Sequence, residues 1–236
     1  MSTSWQYPGA RWWKFDFHTH TPESHDTQWY TQGLALTPEE WLTEYMKAEI
    51  DCVAVTDHNC GNWGDRLKQA YAGMKAQTEA GNPPPGFREL NIFPGVEISV
   101  NSGIHILAIF DPSETTGTID SLLGQVDYRG TKGDSDGVTH KSPYEVIERI
   151  RAAGAIPIPA HADESKGLLR VEAGTRICAL SATTVVQAIE AEGLLAVEWI
   201  DMQKPWPGCA EKHRGRFAHV LGSDSHNFNS VNKPGS

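Results

Sequence analysis

Two histidines one residue apart follow the first apolar run of the chain, in the stretch Phe15–Pro22, which reads FDFHTHTP. Alternate side chains of an extended strand leave the same face, so His18 and His20 point the same way if the strand continues through them. Two imidazoles on one face at a strand end can hold one metal ion. They are equally compatible with polar residues at the rim of a sheet, so the pair alone leaves both interpretations open.

Histidines and carboxylates recur at the ends of the later apolar runs. A single histidine after a strand is usually a capping or surface residue. Six strand ends that all carry His, Asp or Glu, however, rarely arise by chance. The series therefore predicts a metal centre, and nitrogen and carboxylate ligands without cysteine suit Zn²⁺, Mn²⁺ or Fe²⁺. The further candidates are His58, Glu97, His105, His161, Asp224 and His226.

Short apolar runs alternate with amphipathic stretches along the whole chain. The third and fourth of these runs are separated by few residues, which favours an antiparallel hairpin or a bent pair. The predicted strands are Trp12–Phe17, Cys52–Val55, Asn91–Val100, Ile104–Phe110, Ala155–Pro159, Leu195–Ile200 and Phe217–Leu221.

Helical stretches separate most of these strands. The first follows Thr37, a favoured N-cap residue, with proline at the first helical position. Strands interleaved with helices predict an α/β fold with a largely parallel sheet, closed or nearly closed into a barrel whose strand ends share one face. The predicted helices are Pro38–Met46, Asp65–Glu79, Ser142–Ala153 and Ala182–Glu192, and Asp127–Lys141 is predicted to be a surface loop.

The length and composition limit the classes of protein to which the chain can belong. At 236 residues the chain is interpreted as one domain, 1–236. The four cysteines form no CxxC pair, which favours reduced thiols in a cytoplasmic protein. The sequence has no secretory leader pattern and no membrane-spanning run. The net charge of −10 argues against a large basic nucleic-acid surface, although bound cations would add local positive charge.

The motif series FDFHTHT, VTDHN, PGVEI, IHIL, PAH and GSDSH resembles that of the PHP (polymerase and histidinol phosphatase) family. The order matches, and the series extends from about residue 13 to residue 228. The resemblance implies a distorted seven-stranded (β/α) barrel with its metal site at the C-terminal ends of the strands. It also implies two to three divalent ions and hydrolysis of phosphoester bonds.

The same resemblance implies a role for each ligand. Glu97 would bridge two ions, and Asp57 is expected to orient an imidazole rather than to bind metal. The implied sets are His18, His20, Glu97 and Asp224 for the first ion, Glu97, His105 and His161 for the second, and His58 and His226 for the third. The third ion also needs a ligand from the loop after the first strand, for which His25 is preferred to Asp26.

The expected reaction is in-line attack on phosphorus by a metal-bound hydroxide, since coordination lowers the pKa of water to roughly 7. The residues expected to be catalytic are His18, His20, Glu97, His161 and Asp224. Some loop cations are candidates for contact with phosphate, although each is more often a solvated charge: Arg129, Lys132, Lys141, Lys166 and Arg170. Some aromatic side chains are candidates for base stacking, although packing is their commoner role: Trp29, Tyr30, Trp63 and Trp206.

The opening GARWWKFDFHTHTPESHD further resembles TrlF-like proteins, in which a PHP domain precedes a large AAA/SMC-type ATPase. The sequence lacks GxxxxGK[ST], so an ATPase is expected only as a further domain or partner, and the chain as a truncated domain or short relative. This resemblance favours a nuclease or nucleic-acid phosphoesterase acting on DNA or RNA. The alternatives are a small-molecule phosphatase of the histidinol-phosphate or nucleotide type and a non-catalytic, metal-bearing regulatory module.

Overall fold

The computed structural model describes residues 12–229 and 233–234. The first three residues of the GARWWK opening lie outside this range. In the described part, helices and strands alternate along the chain. The strands are β1 (Phe15–Asp16), β2 (Cys52–Val55), β3 (Asn91–Val100), β4 (Ile104–Ile109), β5 (Ile156–Pro159), β6 (Ala196–Glu198) and β7 (Ala218–Val220). The helices are α1 (Gln28–Thr31), α2 (Pro38–Lys47), α3 (Asn62–Glu79), α4 (Thr116–Gln125), α5 (Pro143–Ala152) and α6 (Ala182–Ile189), with a 3₁₀ helix at Glu211–Arg216.

The strands form two sheets. Five pair in the order β1-β2-β3-β4-β5, and β6 pairs with β7 in parallel. The first three strands are parallel, whereas β4 is antiparallel to both of its neighbours. Its pairing with β3 is the predicted hairpin, and its antiparallel pairing with β5 was not predicted. The mixed α/β class is thus confirmed, while a single closed sheet of seven strands is not.

Backbone hydrogen bonds connect the two sheets at one end. The amide of Ala162, after β5, donates to the carbonyl of Glu198 in β6 (2.8 Å). The amide of Asp224, after β7, donates to the carbonyl of His18 after β1 (2.8 Å). The strands β1, β6 and β7 have only two or three residues each. Their hydrogen-bond ladders are therefore too short to connect the two sheets into one continuous sheet.

Helix starts follow the capping chemistry of the sequence. The Thr37 side chain accepts from the Glu40 amide while the Glu40 carboxylate accepts from the Thr37 amide, and Ser142 and Glu145 repeat this arrangement at α5. Proline follows each cap at the first helical position. The helices α1 and α4 lie in segments without a predicted element. Thr27 caps α1, but neither helix starts with the proline and glutamate that mark α2 and α5.

Alternation along β3 and β4 separates the core from the site. Val96 and Ile98 of β3 join Ile106 of β4 in a large apolar cluster with α4, α5 and α6. On the opposite face, Glu97 lies across from Leu107. The inward face is therefore apolar toward Leu107 and Ile109 and polar toward Glu97 and His105. The apolar part forms a floor beneath the polar groups.

Among residues 12–229 and 233–234, none of the helices combines the length and the apolar character that crossing a membrane requires.

Candidate metal centre

Glu97 is the centre of the polar cluster. It lies in β3 with 1% of its surface exposed, and five imidazoles surround its carboxylate. Its Oε2 lies 3.4 Å from His18 Nε2, 3.6 Å from His20 Nε2 and 2.8 Å from His58 Nδ1. Its Oε1 lies 2.8 Å from His105 Nδ1 and 3.3 Å from His161 Nε2. The histidines follow β1, β2 and β5, except for His105. It is the second residue of β4, whose antiparallel direction brings its first residues to the same edge.

Asp224 closes the cluster from the β7 side. Its Oδ1 lies 3.3 Å from His18 Nε2 and 3.1 Å from His20 Nε2. This approach requires a glycine at position 222, since a Cβ there would meet the Cβ of His18 at 2.5 Å. His161 and Asp224 both adopt left-handed backbone conformations, with φ of 31° and 49°. Such conformations cost about 1–3 kcal/mol each and concentrate at functional sites.

The loop after β1 places Asp26, and not His25, at the cluster. Asp26 Oδ2 lies 2.9 Å from His58 Nε2, and Oδ1 lies 3.3 Å from His226 Nε2. The ring of His25 instead stacks on Tyr30 at 4.1 Å, and its amide donates to the carbonyl of Gly133. Of the two residues considered for the third ion, Asp26 therefore lies beside His58 and His226, and His25 lies beside Tyr30.

Buried polar atoms that lack hydrogen-bond partners indicate whether these residues suit a metal ion. His18 Nε2, His58 Nδ1 and Glu97 Oε2 are buried and make no hydrogen bond among the described residues, although they face one another at 2.8–3.4 Å. Ligands bound to one ion at about 2.1 Å are separated by roughly 3.0–3.4 Å. Unpaired buried polar atoms are costly, so a shared cation is the chemistry that this arrangement suits. Further sets of three side chains also present closely spaced ligand atoms: His20, His58 and His226; His18, His20 and Asp224; and His58, Glu97 and His105.

A second carboxylate, Glu198, fixes the geometry of His18. It ends β6 with 1% exposure, and its Oε2 lies 2.8 Å from His18 Nδ1. The same oxygen accepts from the His161 amide (2.7 Å), and Oε1 accepts from the Gly222 amide (3.0 Å). His18 therefore donates through Nδ1 and leaves Nε2 for a metal. Sequence reasoning missed Glu198, and the available signal was an acid inside the otherwise apolar run LLAVEWI.

The tautomer of His20 follows from a hydrogen-bond chain through Ser24. The Ser24 hydroxyl donates to Asp57 Oδ1 (2.7 Å) and accepts from the His58 amide (3.1 Å). Because its single proton is used, its contact with His20 Nδ1 (2.9 Å) requires the imidazole to donate, which leaves Nε2 unprotonated. Asp57 thus orients an imidazole through Ser24. Burial raises the pKa of Asp57 to about 6 despite these donors.

The electrostatics favour a cation at the same point. Burial, with His226 and His58 nearby, lowers the pKa of His20 to about 3, so this ring is a neutral ligand near pH 7. Burial opposes ionisation of Glu97, yet the surrounding imidazoles hold its pKa well below the usual range. Burial likewise disfavours protonated His18, but Glu198, Asp224 and Glu97 raise its pKa well above 6.5. A divalent ion would replace the proton that these carboxylates otherwise hold on the His18 imidazole.

The ligand atoms face a cavity of about 570 Å³. Of the loop cations considered above, Lys166 lines this cavity, and its Nζ lies 3.0 Å from Asp136. The other cations lie elsewhere: Arg129, Lys132 and Lys141 approach Asp127, Asp120 and Glu145, and Arg170 lines a neighbouring cleft.

The aromatic candidates do not form a stacking surface in this cavity. Trp63 and Trp206 are buried, Trp29 packs on Phe228 at 4.9 Å, and Tyr30 contacts His25. Cys60 is also buried, which raises the pKa of its thiol to about 12, so it is not an activated nucleophile. Base stacking through the predicted tryptophans is therefore not supported by their positions.

No protein-family model matches the chain, and no curated protein matches it in sequence. Solved structures match in fold. A protein described as a metal-dependent phosphoesterase from Bifidobacterium adolescentis has a TM-score of 0.54 and 20% identity, covering 93% of this chain and 90% of that one.

Two matches are to an endonuclease. The lesion-specific Endonuclease Q from Pyrococcus furiosus has a TM-score of 0.59 and 14% identity, covering 93% of this chain and 49% of that one. Endonuclease Q bound to a duplex with an abasic lesion at its active site has a TM-score of 0.56 and 16% identity, covering 90% of this chain and 48% of that one. The chain thus corresponds to about half of the endonuclease. The chain shares the fold of these proteins, whereas the predicted ATPase partner finds no support in these comparisons.

Proposed function

We propose that this chain is a PHP-family hydrolase that cleaves phosphoester bonds with the help of divalent metal ions. The observation that carries the proposal is the convergence of buried histidine and carboxylate atoms around Glu97, several of which have no hydrogen-bond partner among the described residues. The solved structures of similar fold include a metal-dependent phosphoesterase and an endonuclease, which supports the reaction class.

The ligand atoms divide into three neighbouring groups. Glu97 contributes one oxygen to each of the first two, and Asp26 contributes to the third, in place of His25. In the proposed assignment the groups are His18, His20, Glu97 and Asp224; Glu97, His105 and His161; and Asp26, His58 and His226. Bound ions would activate water and neutralise phosphate charge, as in other sites with neighbouring metals.

The protein's own groups hold this arrangement in place. Glu198 and Ser24 orient His18 and His20 so that each presents Nε2 to the centre. Lys166 lies at the rim, where its ammonium group can approach a non-bridging phosphate oxygen. No side chain is required as a covalent nucleophile, which agrees with the protonated, buried state of Cys60.

Nucleic acid is the proposed substrate. The metal-facing cavity shares Glu164 and Ser165 with a second cleft of about 720 Å³, so the opening extends beyond the volume of one small ligand. A polymer can occupy both spaces at once. The endonuclease of similar fold binds a duplex substrate with an abasic lesion at its active site, which supports a nucleic-acid substrate here.

A small-molecule phosphatase is the second candidate. The metal-facing cavity alone, at about 570 Å³, has the size of a small-ligand site. The net charge of −10 and the surface pairing of Arg129, Lys132 and Lys141 leave few cations to hold a polyanion.

Phosphodiester, phosphomonoester and nucleic-acid substrates distinguish these functions. We expect Mn²⁺-dependent cleavage of labelled single-stranded or duplex DNA or RNA and of bis-p-nitrophenyl phosphate, at least as fast as cleavage of p-nitrophenyl phosphate. Glu97→Gln should abolish this activity, whereas His140→Ala, in an exposed loop, should retain it.

Robust turnover of a sugar or amino-alcohol monophosphate without cleavage of nucleic acid would replace the nuclease assignment with the phosphatase one. Complete metal loading without turnover of any of these substrates would instead indicate a regulatory module.

A further inference from the structure

Cys178 and Cys209 are far apart in sequence and adjacent in the structure. Their Sγ atoms lie 2.6 Å apart, although 31 positions separate the two residues along the chain. Both side chains are partly buried and pack against the large apolar cluster formed with α4, α5 and α6. The sulfur atoms therefore face each other within a packed environment rather than at the tips of two unconstrained loops.

The backbones that carry the pair are held together on either side. The amide of Gly208 donates to the carbonyl of Arg176 (2.8 Å), and the Arg176 side chain donates to the carbonyl of Trp206 (3.1 Å). Arg176 also contacts the carboxylate of Glu211. On the first loop, Val171 and Cys178 form an antiparallel bridge. These contacts keep the two segments in register whether or not a covalent bond joins them.

We propose that Cys178 and Cys209 are a disulfide-forming pair, a covalent modification site that joins the segment after β5 to the segment after β6. The oxidant is a small disulfide of the glutathione type. The thiolate of one cysteine attacks it, forms a mixed disulfide and releases one small thiol. The thiolate of the other then attacks the protein sulfur and releases the second small thiol. Two protein thiols are oxidised to one disulfide, and the small disulfide is reduced by the same two electrons.

The linked segments form the wall of the second cleft. Arg176 and Val171 line it from the first segment, and Lys204 and Pro205 line it from the second. This cleft shares Glu164 and Ser165 with the metal-facing cavity. A bond between Cys178 and Cys209 would fix the separation of the two walls without touching the ligand cluster.

The other two cysteines serve as internal controls. Cys52 and Cys60 are buried. Cys52 Sγ accepts from the Asn91 side-chain amide (3.8 Å), and the Cys60 thiol donates to the Glu23 carboxylate (3.9 Å). Burial, with Cys209 beside it, raises the pKa of Cys178 to about 12. The pair is therefore expected to react slowly at neutral pH and to be more a structural tie than a fast sensor.

The test is a thiol count on the full chain after equilibration with oxidised and reduced glutathione. After quenching and denaturation, the oxidised sample should show two titratable thiols and the reduced sample four, with an intact mass lower by two hydrogen atoms. Non-reducing peptide mapping should recover one peptide pair joined through Cys178 and Cys209. The oxidised form should melt several degrees higher, because the bond constrains the unfolded chain.

Matched variants separate the pair from general oxidation. Cys178→Ser and Cys209→Ser should each keep three thiols, apart from a glutathione adduct on the remaining partner, and lose the oxidation-dependent melting shift. Cys60→Ser should retain the crosslink and the shift. Four thiols in wild-type protein at full oxidation, or glutathione adducts on both cysteines without a joined peptide, would overturn the proposal.

Discussion

Glu198 offers the sharpest test of how the centre is held, because it contacts no proposed metal position and yet touches three site elements. It accepts from His18 Nδ1, the His161 amide and the Gly222 amide at 2.7–3.0 Å, with 1% of its surface exposed. Glu198→Ala leaves one buried donor and two partly buried donors without their acceptor. At about 1–3 kcal/mol for each unsatisfied buried group, we expect a large loss of folding free energy.

Glu198→Gln is the more informative change, since it preserves the volume. The amide has one oxygen and one NH₂ group, so it cannot accept at both former oxygen positions. If its oxygen faces His18 and His161, its NH₂ group faces the Gly222 amide; the reverse orientation removes the acceptor of His18 Nδ1. Either way the charge-assisted bond to His18 is lost. Loss of such an outer partner typically lowers metal affinity roughly 10- to 100-fold.

The assay is a competitive chelator titration with Mn²⁺ or Zn²⁺, accompanied by a metal count and thermal unfolding of the metal-free protein. Glu192→Gln is the matched control, since its side chain is 82% exposed and lies 3.6 Å from Arg151. We expect the affinity loss in Glu198→Gln alone, confined to the ion that His18 binds. Unchanged affinity and stoichiometry in Glu198→Gln would refute the argument that Glu198 sets the orientation of His18.

Further predictions concern the remaining ligands and the fold. Glu97→Gln should lower metal content and rate more than His226→Ala does, measured by elemental analysis and turnover, because Glu97 contributes to two groups; the reverse order would contradict the bridge. Asp26→Asn should remove one ion per chain while His25→Ala removes none, and equal losses would contradict the loop geometry. Chelator treatment should lower the melting temperature, since a metal ion at a free concentration of 100 times its Kd stabilises the fold by about 2.7 kcal/mol. Thr37→Ala should cost about 1 kcal/mol through the lost cap of α2, lowering the melting temperature by about 2–4 °C with turnover unchanged.

The strand-end residues were predictable because two local rules agree. Alternation places His18 and His20 on one face, and strands of one sheet bring their ends to a common edge. The hairpin between β3 and β4 then delivers His105 to the same edge from the opposite chain direction. These features depend on short sequence patterns, so one sequence was enough to predict that Glu97 and the histidines share one end of the strands.

The choice between His25 and Asp26 depends on contacts that local sequence does not encode. The path of this loop is set by the His25 amide bonded to Gly133, more than a hundred positions away, and by the ring of Tyr30. Glu198 was missed for a related reason, since its importance lies in long-range bonds to His18 and Gly222. Sequence reasoning therefore does not distinguish adjacent residues with similar chemistry, and it does not identify supporting groups that come from distant parts of the chain.

Because the sheet does not close, the residues of the proposed metal centre come from two separate sheets. The five-stranded sheet contributes Glu97 and the residues after β1, whereas Asp224 follows the separate pair of β6 and β7. Hydrogen bonds such as that from Asp224 to the His18 carbonyl join the sheets at this end. An ion shared by Glu97, His18 and Asp224 would add a crosslink at the same place, where the ladders are shortest. Metal binding would thus stabilise the junction of the two sheets as well as assemble the reactive site, since ligands drawn from separate elements convert binding free energy into folding free energy.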